Sequence, residues 1–233
     1  MASKRYREAQ SMIDKTKRYE LTEALNFLKS FPHTRFDETV EVHMNLGVDP
    51  RKADQQIRNS LVLPHGSGKK MRVLVFAEGE KAEEAKTAGA DYVGLDDLIE
   101  KIQSGWMDFD VAIATPNLMG KIGRLGRVLG PRGLMPNPKV GTVTMNVADA
   151  VSDSKGGKVT YRVDKFSNLH IIAGKISFEA DKLKENILAI IAAVVRERPA
   201  TLKGVFIKSI AVTSTMGPGI KLDVAAVTAE TKK

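Results

Sequence analysis

The sequence predicts an α/β chain of two domains, one inserted into the other. Between residues 71 and 115, near-continuous apolar runs alternate with helical periodicities, the pattern of a parallel sheet covered on both faces. Outside that block, at 36–46 and 159–175, apolar and polar residues alternate with period two, as in half-exposed strands. Two runs of small and turn-forming residues, PHGSG at 64–68 and SDSKGGK at 152–158, bracket the alternating block. They place an outer domain in 1–66 plus 159–233, an inserted domain in 67–158, and hinges near 64–70 and 152–158.

Each element follows from its spacing. Leu21, Ala24, Leu25 and Leu28 recur at three and four residues, which predicts helix across about 3–28, stopped by Pro32. Val40, Val42, Met44 and Leu46 alternate with Thr39, Glu41, His43 and Asn45, so the strand at 36–46 has one face in the core. Asp49 before Pro50 reads as the N-cap of a helix over 51–58, and 60–63 as a short strand. The inserted block then runs strand 71–77, helix 81–90, strand 90–94, helix 95–105 and strand 109–115.

Residues 120–142, GKIGRLGRVLGPRGLMPNPKVGT, follow the third of those strands. They hold six glycines, three prolines, five basic residues and no acid, which predicts a long shaped loop, either a functional element or a solvated excursion. A strand at 141–145 and a helix from about 147 come next, and 152–158 reads as flexible. Val159, Tyr161 and Val163, a turn at 165–168 and LHIIAGK at 169–175 predict an antiparallel hairpin. Leu183, Ile187, Ile190, Ile191 and Val194 line one face of a helix over 178–198, closed by Pro199. A strand at 205–212, the turn STMGPG at 214–219 and a return strand at 220–224 end the pattern.

The formal net charge of +8 favours a polyanionic partner, because Lys and Arg gain affinity for phosphate backbones by releasing counterions. That charge is uneven. Residues 67–159 hold 13 basic and 12 acidic side chains and the remainder 23 and 16, so the outer domain is the expected polyanion binder. Absence of cysteine excludes disulfides, thiolate nucleophiles and cysteine zinc sites. The N-terminal MASKRYREAQ has no apolar segment behind it, and no run approaches the roughly 20 apolar residues of a membrane span. A cytoplasmic protein is expected.

Enzymatic readings fare poorly on residue types. GSGKK at 66–70 has Leu63 where a phosphate loop needs its first glycine and Lys70 where it needs Ser or Thr. Gly120, Gly123 and Gly126 are spaced by three and follow the third strand, unlike a dinucleotide fingerprint. His33, His43, His65 and His170 show no metal-ligand spacing, and the carboxylates of LDDLIE and KAEEAK fall on solvated helix faces. No catalytic residue, metal or cofactor is expected; a nucleotide-dependent enzyme would rest on fold grammar alone. The better constellation is Thr39, Glu41 and His43 with the hydroxyls, methionine and glycines of 214–219, which suit RNA backbone and base recognition. A plain Gly-Pro-Gly hairpin turn explains the second part equally well.

Four motifs carry a resemblance: FDETVEVHMNLGVDPRKADQQIR at 36–58, GRLGRVLGPRGLMPNPKVGTV at 123–143, YRVDKFSNLHIIAGK at 161–175 and TSTMGPGIKLD at 213–223. Over nearly its whole length the chain resembles the ribosomal protein L1 family in its bacterial form. The resemblance implies a split β-α-β outer domain and a Rossmann-like inserted domain without a cofactor. It implies a structural constituent of the large ribosomal subunit, a monomer when free, with three RNA partners. These are large-subunit ribosomal RNA at the mobile stalk, the exit-site tRNA whose release it assists, and its own messenger, whose translation it represses. By motif, Phe36, Thr39, Arg162, Asp164, Lys165, Thr215, Met216 and Gly217 are the expected RNA-binding residues. Lys121, Arg124, Arg127, Arg132 and Lys139 would be a secondary RNA or tRNA contact, and Asn168 stands where a glycine turn is expected.

Overall fold

The computed structural model describes residues 3–231. The chain divides into two units, Met1–Gly68 with Val159–Lys233, and Lys69–Lys158.

In the first unit, the Ser3 hydroxyl caps α1 (Lys4–Ser11) by accepting the Tyr6 amide, and α2 (Leu21–Ser30) buries Leu21, Ala24, Leu25 and Leu28. The helix expected across 3–28 is therefore two helices. The break arises because Tyr19 is drawn into a bridge with Leu222, its amide donating to the Lys221 carbonyl at 3.0 Å. β1 (Thr39–Leu46) buries alternate residues, as its pattern requires. The expected helix over 51–58 is absent: the Asp49 carboxylate accepts the Arg51 amide in a tight turn, and only Ala53–Gln55 is helical. β2 (Arg58–Val62) follows.

The second unit holds β3 (Val73–Phe76), α3 (Glu80–Thr87), β4 (Tyr92–Gly94), α4 (Asp96–Gln103) and β5 (Val111–Ala114), with a parallel sheet in the order β4-β3-β5. Alternation divides its core in two. Val73, Val75 and Ile113 pack with Ala85, Val147, Ala150 and Val151, while Leu74, Phe76, Ala112 and Ala114 pack with Leu98, Ile102, Ile122, Leu125 and Leu129 on the other face.

The segment 120–142 is more regular than expected. It begins as successive helical turns, α5 (Met119–Ile122), Gly123–Leu125 and α6 (Gly126–Leu129). Leu118, Ile122, Leu125 and Leu129, at spacings of four, three and four, are all buried. Burying such a side chain contributes about 1.5–3 kcal/mol, more than the ~1 kcal/mol each helical glycine costs. The expected strand at 141–145 shrinks to one bridge, between Ala114 and Val143. α7 (Val147–Lys155) runs through most of the segment expected to be flexible, with the buried Ser154 hydroxyl donating to the Ala150 carbonyl.

Back in the first unit, β6 (Lys158–Arg162) pairs with β2, whereas β7 (Asn168–Lys175) pairs with β1. The expected hairpin does not form. The intervening turn hands the chain from one sheet to another, the Val163 amide donating to Ile57 and the Ser167 carbonyl accepting from Leu46. The left-handed position in that turn is Ser167, at φ 67°, and Asn168 is already extended strand. α8 (Ala180–Arg196), β8 (Ile207–Ser214), β9 (Ile220–Leu222) and α9 (Val224–Glu230) complete the unit. The last helix was not expected; Asp223 caps it by accepting the Ala225 and Ala226 amides.

The main sheet has the order β7-β1-β8-β9, with β1 antiparallel to both β7 and β8. β7 and β8 are thus parallel, joined through α8, with β1 between them, a split β-α-β arrangement. The apolar faces of α2 and α8 join one face of this sheet in a single core. Its other face is open, with Thr39, Glu41, His43 and Asn45 on β1 beside Asn168, His170 and Ile172 on β7.

Candidate nucleic-acid interface

The turn after β8 is fastened to the start of β1. The Thr215 amide donates to the Thr39 carbonyl at 3.0 Å, and the Thr39 amide donates to the Thr215 hydroxyl at 2.9 Å. Lys175 donates to the Thr39 hydroxyl at 3.0 Å. Gly217 has a steric reason: a Cβ there would collide with the Ser214 hydroxyl. Phe36, Thr39, Thr215, Met216 and Gly217 are therefore gathered at one end of the open sheet face.

Behind that turn lies a residue the sequence reading passed over. Glu38 is only 1% exposed. Its Oε1 accepts from the Arg5 guanidinium at 3.1 Å and the Thr34 amide at 3.0 Å, and its Oε2 accepts the Met216 amide at 3.1 Å. Burial pushes this carboxyl pKa up, but the Ser214 hydroxyl, followed by the Thr34 and Met216 amides, outweighs burial and brings it down to about 2. An ionised carboxylate thus holds the Met216 backbone from within while the Met216 side chain stays 52% exposed. Sequence offers little signal for this, because an acid beside a strand start reads as a surface residue.

Arg162, Asp164 and Lys165 are not part of that cluster. Thr39 pairs with Lys175 and Asn45 with Asn168, so the turn before β7 lies six residues further along β1, about 20 Å away. The Asp164 carboxylate is used within the turn: Oδ1 accepts the Phe166 and Asn168 amides, both at 2.8 Å, and the Asn168 amide contact is the foremost reason its pKa is depressed. Asp164 therefore shapes the turn. Lys165 sits over the ring of Phe166, 5.3 Å from its centroid, and Phe166 is 69% exposed. An exposed aromatic beside a cation is a stacking platform, legible in the sequence as KFSN and missed there.

Between the two ends runs a polar strip. His43 and His170 share a hydrogen bond between their Nδ1 atoms at 2.7 Å, one ring donating and the other accepting. Burial, then the neighbouring His170, holds the His43 pKa below its ordinary value. The Asn45 amide donates to the Asn168 side-chain oxygen at 2.7 Å, and Ile172 is exposed alongside. Lone histidines in sequence thus become a cross-strand pair through register alone.

In the second unit, Lys121, Arg124, Arg127, Arg132 and Lys139 are all exposed. Lys121 pairs with Glu78 at 3.4 Å and lies 3.9 Å from Asp96. Among the described residues the other four side chains form no ion pair, so they remain available to a polyanion. Those residues also hold no group of three or more potential metal ligands, and no helix long and apolar enough to cross a membrane.

An open sheet face with charge, hydroxyls, an exposed thioether and aromatic rings, in a chain whose inserted parallel-sheet unit carries a basic segment, has the chemistry of an RNA-binding α/β protein. The chain belongs to the Ribosomal protein L1p/L10e family, whose profile matches residues 28–218. It is similar to the large ribosomal subunit protein uL1 of Thermobifida fusca (strain YX), 61% identical over 221 residues, which cover 95% of this chain and 94% of that protein. Membership makes it an RNA-binding ribosomal protein and not an enzyme.

Proposed function

We propose that the chain is a structural constituent of the large ribosomal subunit in the cytoplasmic ribosome. In this reading it grips ribosomal RNA at the mobile stalk through the end of the open sheet where Phe36, Thr39, Thr215, Met216 and Gly217 meet. The observation that carries this is the Met216 turn: its backbone is pinned by buried, ionised Glu38, and its thioether is presented to solvent. A preorganised turn loses little entropy on binding. Arg162 and Lys165 extend the contact to the far end of the strip, with Asp164 shaping their turn. The basic residues from Lys121 to Lys139 make the secondary contact, with ribosomal RNA or with an exit-site tRNA whose release the protein assists. The free protein is a monomer that represses its own messenger by offering the same surface to a similar RNA fold.

Filter binding of the full chain to a stalk-base ribosomal RNA fragment tests this. Affinity falls with salt, and Met216→Ala weakens binding by about 1–3 kcal/mol if the thioether packs on a base. A messenger leader RNA competes for the same sites and is equally sensitive to Met216→Ala. Binding that ignores every change across 215–217 overturns the assignment.

A further inference from the structure

A groove of about 190 Å³ opens between the N-terminal segment and the turn before β9, lined in part by Tyr6, Gln10, Lys15, Gly219 and Lys221. Its polar lining is largely uncommitted. Among the described residues, the Tyr6, Gln10, Lys15 and Lys221 side chains make no hydrogen bond or ion pair. The other charged groups at the groove are spoken for: Lys17 pairs with Glu23 at 2.7 Å, and the Asp14 carboxylate accepts both the amide and hydroxyl of Thr16. Two free ammonium groups, a phenol and a carboxamide therefore line a groove whose one carboxylate is already satisfied.

The surroundings suit an extended polyanion. Residues 3–18 carry six basic side chains against two acidic ones. A Cβ at Gly219 would meet nothing within 4 Å, so backbone is accessible at the groove wall. The groove begins two residues after Met216, and α1 is anchored beside the Met216 turn because Arg5 reaches both Glu38 and the Pro32 carbonyl. The groove and the Met216 turn are thus joined by the short run 216–221.

We propose that the groove is a second seat for the RNA backbone, in which Lys15 and Lys221 clasp one or two phosphates and Tyr6 and Gln10 donate to phosphate or ribose oxygens. This rests on the reading of the Met216 turn as an RNA contact and adds the N-terminal segment to the interface.

The test is fluorescence anisotropy of a labelled stalk-base ribosomal RNA fragment with the full chain across a salt series. Each lost phosphate contact lowers the salt slope by about one and the affinity about fivefold near 0.15 M salt. Lys15→Gln with Lys221→Gln is thus expected to lower the slope by about 2 and the affinity about 10–30-fold. Lys86→Gln with Lys101→Gln, which removes the same charge from helix surfaces of the inserted unit, leaves the slope near that of the unaltered protein. Equal slopes for the two double variants overturn the groove. If Met216→Ala still weakens binding in that case, the turn reading survives alone; if the unaltered chain does not bind the fragment, both fall.

Discussion

Glu38 offers the sharpest test of how the interface is built. Replacing it with alanine leaves the Arg5 guanidinium, the Thr34 and Met216 amides and the Ser214 hydroxyl without their common acceptor. Removing one member of a buried charged pair costs about 3–5 kcal/mol. For a unit of this size that lowers the melting temperature by about 10–15 °C. The depressed carboxyl pKa gives a second figure. The folded pKa of about 2 lies below the ordinary 4.5, so the carboxylate stabilises the fold fully above pH 4.5, and that stability is lost as pH falls through 2. At 1.36 kcal/mol per unit this amounts to about 3 kcal/mol.

The assay is thermal unfolding of the full chain at pH 7 together with denaturant unfolding across pH 7 to 2, followed by far-UV circular dichroism and by tryptophan fluorescence. Trp106 is the only tryptophan and belongs to the inserted unit, so its transition reports that unit while circular dichroism reports both. Glu38→Ala moves the part of the circular dichroism transition that fluorescence does not see. Glu38→Gln keeps the shape and flattens the acid limb of the stability profile. A Glu38→Ala protein that melts within about 1 °C of the parent would refute the hub, as would a Glu38→Gln profile as steep as the parent's between pH 4.5 and 2.

Two further outcomes bear on the segments the family motifs single out. Leu125→Ala removes a fully buried side chain from the helical turns after β5 and costs about 2–5 kcal/mol, read from an earlier Trp106 fluorescence transition; a solvated loop would show no change. Gly217→Ala drives a methyl group into the Ser214 hydroxyl, costing about 1–3 kcal/mol of stability and weakening RNA binding along with it. If neither quantity moves, the turn is looser than its hydrogen bonds imply.

Period-two and apolar patterns made the main elements legible because burial enforces them. Val40, Val42, Met44 and Leu46 had to point inward, and the odd and even residues of β3 had to serve two separate cores. What escaped was set by partners distant in sequence. Tyr19 breaks a helical stretch to meet Leu222, and β6 abandons its neighbour β7 for β2. The glycine density of 120–142 hid a four-three-four apolar spacing that outweighs helix propensity. The exposed motif residues could be named from the sequence as candidates. Their support could not, since Glu38 acquires its role only when residues 5, 34, 214 and 216 converge on it.

The two sheets also differ in what they leave exposed. A parallel sheet needs crossover helices on both faces, so the inserted unit buries both rows of β3 and can offer a partner only its loops and helix surfaces. The split β-α-β sheet uses helices on one face and leaves a row running from Thr39 to Asn45 in the open. That row is held by cross-strand pairs, His43 with His170 and Asn45 with Asn168, whose hydrogen bonds consume polar groups that would otherwise compete for bases. Met216 and Phe166 project at the two ends of the row from turns fixed by Glu38 and Asp164, and in the proposed reading these ends carry the binding strength. Each end pairs a projecting soft or aromatic side chain with a carboxylate that never leaves the protein. Removing either carboxylate is therefore expected to loosen one end of the proposed interface while leaving the Met216 and Phe166 side chains in place.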